Sequence, residues 1–60
     1  MTLEELFEIL TFSVFEVQDW DGHRLFKQNT NQDLPDKYLY CEVWSATPLG
    51  KDELLIKIVP

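Results

Sequence analysis

An apolar stripe at helical spacing opens the chain. Its members recur at positions i, i+3, i+4 and i+7, and they are Leu3, Leu6, Phe7 and Leu10. Thr2 and Glu5 stand three residues apart, as in a capping box, where each side chain accepts a hydrogen bond from the other residue's backbone N–H. Together these features predict a helix over residues 2–10.

After Thr11 the pattern changes to runs that are rich in β-branched and aromatic residues, which is typical of strands. Two such runs, SVFEVQ and HRLFKQ, flank the tetrapeptide DWDG. Two more, YCEVWSA and ELLIKIV, flank a turn at LGKD, and Pro48 ends the first of them. In the stretch DLPDKYL, Asp33 precedes Pro35, an order that predicts a short helical turn.

The predicted order is therefore helix, hairpin, short helical turn, hairpin. It indicates a single α+β domain over residues 1–60, with the N-terminal helix packed on a four-stranded, mainly antiparallel sheet. A chain of 60 residues buries only about 60% of its unfolded surface, so its core is marginal without a disulfide, a metal or a partner. Cys41 is the only cysteine, which excludes an internal disulfide and favours a reducing, cytoplasmic setting.

The charge of the chain narrows the classes of partner. Eleven acidic and five basic side chains give a formal net charge of −6, which disfavours direct binding of nucleic acid. The same excess confers solubility or suits a basic surface on a host protein. Acidic residues in the first helical turns are atypical of a secretory signal, and no apolar run approaches the roughly 18 residues of a membrane span.

The segment DWDGHRLF resembles both a fragment of a calcium loop and the tip of a hairpin. In an EF-hand register with Gly22 at the glycine position, Val17 and Gln28 fall where carboxylates are required, so that interpretation fails. Asp-Gly is instead a preferred turn dipeptide, because glycine accepts positive φ. We predict a plain hairpin turn. Trp20, near its tip, either folds over the sheet edge or contributes to an interface.

Candidate chemistry is sparse. Cys41 and His23 are the one thiol and the one imidazole, and a nucleophilic pair would also need an orienting group and an oxyanion site. Structural zinc takes about four Cys or His ligands, more than the chain holds. We therefore predict no enzymatic activity, no catalytic residue, no metal and no cofactor. A small hydrolase that uses Cys41 or a pair of acids is a remote alternative.

The apolar residues exceed what one helix can cover on one sheet face, and the last strand is apolar on both sides. Tyr38, Tyr40 and Trp44 would share one face of the third strand, with Glu42 between them. Tyrosine and tryptophan are enriched at protein interfaces. We therefore predict self-association as a homodimer or larger assembly, through sheet faces or edge strands. The candidate interface residues are Tyr38, Tyr40, Trp44 and Trp20.

Several short motifs, TLEEL, VQDWDGHRLF, DLPDKYL, CEV and LLIKI, cover most of the chain. In this arrangement the sequence resembles small uncharacterised accessory proteins of prophages and other mobile elements of Gram-positive bacteria. The resemblance implies a gene carried by a virus or mobile element, and it brings no functional residue with it. By analogy with small acidic phage proteins that bind and inhibit host defence systems, it suggests an anti-defence role.

The sequence thus favours a non-enzymatic protein-interaction module. Its sharper form is an acidic inhibitor of a host defence or nucleic-acid enzyme, which presents carboxylates as a phosphate backbone does. A different class is also open: an oligomeric sponge that binds small molecules in pockets between subunits lined by aromatic residues.

Overall fold

The computed structural model describes residues 1–59. A short helix and a single turn of 3-10 helix accompany four strands, in the order helix, strand, strand, 3-10 turn, strand, strand. Their bounds are α1 Leu3–Ile9, β1 Val14–Asp19, β2 Arg24–Asn29, η1 Asp36–Tyr38, β3 Glu42–Pro48 and β4 Glu53–Val59.

The capping box at the start of α1 is confirmed. The backbone N–H of Glu5 donates to the Thr2 hydroxyl at 3.3 Å, and the backbone N–H of Thr2 donates to the Glu5 carboxylate at 2.8 Å. The capping box thereby satisfies two backbone N–H groups at the start of the helix. The helix is one residue shorter at each end than predicted, because Thr2 and Leu10 serve as its caps.

The sheet is mixed, with the strand order β2-β1-β4-β3. Both outer pairs are antiparallel, whereas the central strands β1 and β4 run parallel. The α+β class and the predominance of antiparallel pairing are confirmed. The central parallel pair was not predicted, since it joins two hairpins that are far apart in sequence.

The core lies on one face of the two central strands. Phe15 and Val17 of β1 pair with Leu54 and Ile56 of β4, and all four are buried. The ring of Phe15 meets the rings of Phe7 and Phe26 edge-on, at centroid distances of 5.7 and 6.0 Å. The predicted alternation of β4 is confirmed, with Leu55 and Val59 half-buried on the opposite face.

The outer edge of β3 is partly covered by the start of the chain. The backbone N–H of Val43 donates to the Met1 carbonyl at 2.8 Å, and that of Leu3 donates to the Cys41 carbonyl at 2.9 Å. A β-bulge follows in β3: Val43 pairs with Ile58 and Ser45 pairs with Lys57, so Trp44 is the extra residue between them. Bulges and short covering segments blunt an edge against pairing with another chain.

Proline on β3 and a side-chain cap on β2 each blunt one further edge position. The N–H of Leu49 faces β4, where it donates to the Glu53 carbonyl at 2.9 Å. Because backbone direction alternates along a strand, Pro48 presents its missing N–H outward. On the edge strand β2, the Gln32 side chain accepts from the N–H of Asn29 at 3.1 Å. Each edge strand therefore has positions that disfavour pairing with another chain.

One sequence-based prediction is wrong in detail: the three aromatic residues do not share a strand face. Tyr38 is the last residue of η1 and stacks on Phe26 at a centroid distance of 5.3 Å. Turn hydrogen bonds continue beyond η1, where the N–H of Cys41 donates to the Tyr38 carbonyl at 3.2 Å. This delays the start of β3 to Glu42, so Tyr40 lies in the turn before the strand.

Candidate functional site

The predicted interface residues come from three segments that meet at one end of the sheet. At this end β1 and β4 finish, whereas β2 and β3 begin. The register shows the convergence, because Ile58 of β4 pairs with Asp19 of β1 on one side and with Val43 of β3 on the other. Trp20 directly follows Asp19, and Trp44 directly follows Val43. We call this region the aromatic end; its aromatic residues are Trp20, Tyr38, Tyr40 and Trp44.

Three of these four side chains are largely open to solvent. Tyr40 is 75% exposed, Trp44 62% and Trp20 54%, whereas Tyr38 is half-buried against the core. Trp20 is therefore only partly covered by the rest of the described chain, and its use at an interface stays a prediction. Large exposed aromatic side chains grouped in one region are typical of a binding surface, whereas scattered ones are not.

The hairpin that carries Trp20 is held by the carboxylate of Asp19. Its Oδ1 accepts from the backbone N–H groups of Asp21 at 3.0 Å and His23 at 2.9 Å. The N–H of Gly22 donates to the Asp19 carbonyl at 3.0 Å, and Gly22 has φ +94°. The predicted turn at DWDG, with its positive-φ glycine, is confirmed.

Metal-ligating atoms of Asp19, Asp21 and His23 lie within 4.8 Å of one another at this tip. The Asp19 carboxylate is already engaged, because Oδ1 accepts two N–H groups and Oδ2 lies 3.3 Å from the His23 ring Nδ1. These contacts, foremost the backbone hydrogen bond from His23, lower the pKa of Asp19. The hydrogen bonds of the turn are sufficient to bring these three side chains together. That the protein binds no metal stays a prediction.

Replacing Gly22 with Val is expected to destabilise the protein by roughly 1 kcal/mol or more. An added Cβ would meet no atom within 4 Å, so the cost comes from the positive φ alone. Urea denaturation of Gly22→Val and Gly22→Asn measures the effect. The Asn variant should lose less stability, because asparagine tolerates positive φ. Equal stability of Gly22→Val and the parent chain would contradict this account of the turn.

A cavity of about 190 Å³ opens at the aromatic end. Its wall is mainly apolar, and Asp19 supplies the carboxylate; the lining residues are Asp19, Leu25, Tyr38, Cys41 and Ile58. Cys41 is thus half-buried in a cavity wall, whereas the exposed His23 pairs with Asp19 on the hairpin. The cavity was not predicted from the sequence, because its walls come from four separate segments.

Charged side chains on the sheet face opposite the core are paired with one another. Glu16 is 7% exposed, and its carboxylate accepts from Gln18 Nε2 at 2.6 Å and lies 3.5 Å from Arg24 Nε. The hydrogen bond from Gln18 is the main cause of the lowered pKa of Glu16. Lys27 Nζ lies 3.1 Å from the Glu53 carboxylate. On this face Arg24 and Lys27 are therefore paired with the carboxylates of Glu16 and Glu53. Few basic side chains remain to offset the acidic residues on the rest of the surface.

Comparison with protein-family models, with curated proteins and with solved structures finds no match for this chain. The resemblance to accessory proteins of mobile elements accordingly stays a prediction. Over residues 1–59, no helix is both long and apolar enough to cross a membrane.

Proposed function

We propose that this protein is a non-enzymatic interaction module that binds other proteins through its aromatic end. The observation that carries the proposal is the convergence of Trp20, Tyr40 and Trp44 from separate segments, each more than half exposed. Leaving such rings in water forgoes apolar burial, which a bound partner would recover. The partners are a second copy of the chain and a host protein with a basic surface.

The finer form of the proposal is an anti-defence role for a protein of phage or mobile-element type, acting in the host cytoplasm. The net charge of −6 supports docking on a surface that normally binds nucleic acid, since such surfaces are rich in Lys and Arg. Binding there would exclude the nucleic acid without any catalysis by this chain.

Partner capture from host lysate tests the proposal. Immobilised protein should retain a specific host protein, and a double Tyr40→Ala, Trp44→Ala variant should lose it while keeping its fold. The matched control is Leu49→Ala, because Leu49 is 53% exposed but lies in the turn at the opposite end of the sheet. Equal retention by the double variant and the parent chain would contradict the proposal.

A further inference from the structure

We propose that the cavity at the aromatic end is an anchor pocket that takes one apolar side chain of a basic peptide segment. This inference rests on the proposed function and specifies the chemistry of the partner. The apolar side chain of the peptide would lie inside the cavity, and a cationic residue next to it in the peptide would lie at the rim.

The size and wall of the cavity favour a single side chain. Pockets for drug-sized molecules span about 300–1,000 Å³, whereas this one measures about 190 Å³. Leu25, Cys41 and Ile58 supply apolar atoms, and the half-buried Tyr38 supplies a ring. Interfaces often concentrate their binding energy in one anchor residue that fills such a pocket.

The charge beside the cavity favours a cationic neighbour of that anchor. Asp19 lines the cavity itself, and its lowered pKa keeps it ionised at neutral pH. Asp21, two residues further along the hairpin, is exposed. Two basic side chains lie beside residues of the wall: His23, whose Nδ1 is 3.3 Å from Asp19 Oδ2, and Lys37, whose Nζ lies 5.1 Å from the centre of the Tyr38 ring. A peptide cation is therefore expected on the hairpin side of the cavity, away from Lys37.

The exposed aromatic residues extend the cavity into a larger surface. Trp20 follows Asp19 in the chain and Tyr40 precedes Cys41, so each stands next to a residue of the wall. A peptide anchored in the cavity could pack its neighbouring residues on either ring. Aromatic contacts beside an apolar pocket help to exclude water from an anchor residue.

Cys41 provides a direct test, because it is the only thiol in the chain and lines the cavity. The probes are three disulfides of 2-(arylethyl)thiols, identical except for an aminomethyl, a methyl or a carboxymethyl group on the ring. Cys41 thiolate attacks the probe, forms a mixed disulfide and releases the probe's other thiolate. In excess 2-mercaptoethanol the exchange reaches equilibrium, and intact mass then gives the fraction of Cys41 that carries each probe.

The cationic aryl probe should label Cys41 about two- to fivefold more than the anionic one, the range that a partly exposed ion pair supplies. Asp19→Asn should reduce this preference while its side-chain oxygen keeps the turn hydrogen bonds. Lys37→Ala should increase it. Asp52→Asn is the control, because Asp52 accepts from the N–H of Ser13 at 3.0 Å in the turn at the opposite end of the sheet.

The apolar requirement is tested with cystamine, which carries the cation without the ring. Cystamine should label Cys41 less than the cationic aryl probe, and Leu25→Phe, which narrows the cavity, should remove that difference. Equal labelling by all probes, or none by any of them in the folded protein, would overturn the proposal. If labelling fails while Tyr40→Ala, Trp44→Ala still abolishes partner capture, the aromatic end remains the binding surface and only the anchor pocket is wrong.

Discussion

Replacing Phe15 with Ala is expected to remove a large part of the free energy of unfolding. The Phe15 side chain is fully buried, and it joins the ring of Phe7 on α1 to that of Phe26 on β2. Truncating a buried phenylalanine to alanine costs about 3–5 kcal/mol. A domain of this length has a free energy of unfolding of roughly 3–9 kcal/mol, so the loss consumes much or all of it.

Far-UV circular dichroism with urea titration measures this effect. Ile9→Ala is the matched control, because Ile9 lies on the same helix as Phe7 but is 65% exposed. Its free energy of unfolding should change by no more than about 0.5 kcal/mol. A Phe15→Ala variant that unfolds cooperatively with a loss below about 1 kcal/mol would show that this ring does not organise the core.

The second large effect is expected on self-association. At micromolar concentration the parent chain should scatter light as a particle of about twice its 7.1 kDa mass, and its melting temperature should rise with concentration, because dissociation and unfolding are linked. The double Tyr40→Ala, Trp44→Ala variant should remain monomeric. Both side chains are mostly exposed, so their removal should leave the monomer folded.

Leu49→Ala serves as the control here too, and it should associate as the parent chain does. A monomeric parent chain whose melting temperature does not depend on concentration would contradict self-association. A double variant that still dimerises would instead place the contact elsewhere, on the internally paired sheet face or at an edge. Pro48 on β3 and the capped Asn29 on β2 disfavour an edge contact at those two positions.

Local signals in the sequence were sufficient for the helix and the turns. Thr2 and Glu5 are three residues apart and satisfy each other's N–H groups, so the start of α1 needs no distant contact. Gly22 likewise fixes the first hairpin through its own backbone freedom. These elements were predictable because the interactions that define them span fewer than about five residues.

Features that depend on contacts between distant segments were not predictable in the same way. Strand-forming residues from Tyr40 onward suggested an earlier start for β3, but turn hydrogen bonds after η1 hold Tyr38 against Phe26 instead. The central parallel pair brings Asp19 beside Ile58, and the cavity at the aromatic end follows from that register. The aromatic residues were singled out by type, and that choice stays a prediction; their placement at one end of the sheet follows only from the strand order.

Acrylamide quenching of tryptophan fluorescence tests the central claim, that the aromatic end is the binding surface. The chain has two tryptophans, Trp20 and Trp44, and both are exposed at this end. In dilute monomer both indoles should be quenched readily. The measurement is repeated at concentrations where light scattering shows association, and again with a captured partner at saturation. In both cases acrylamide should quench the tryptophan fluorescence less, and the emission should shift to shorter wavelength. Association with quenching and emission unchanged would contradict the claim.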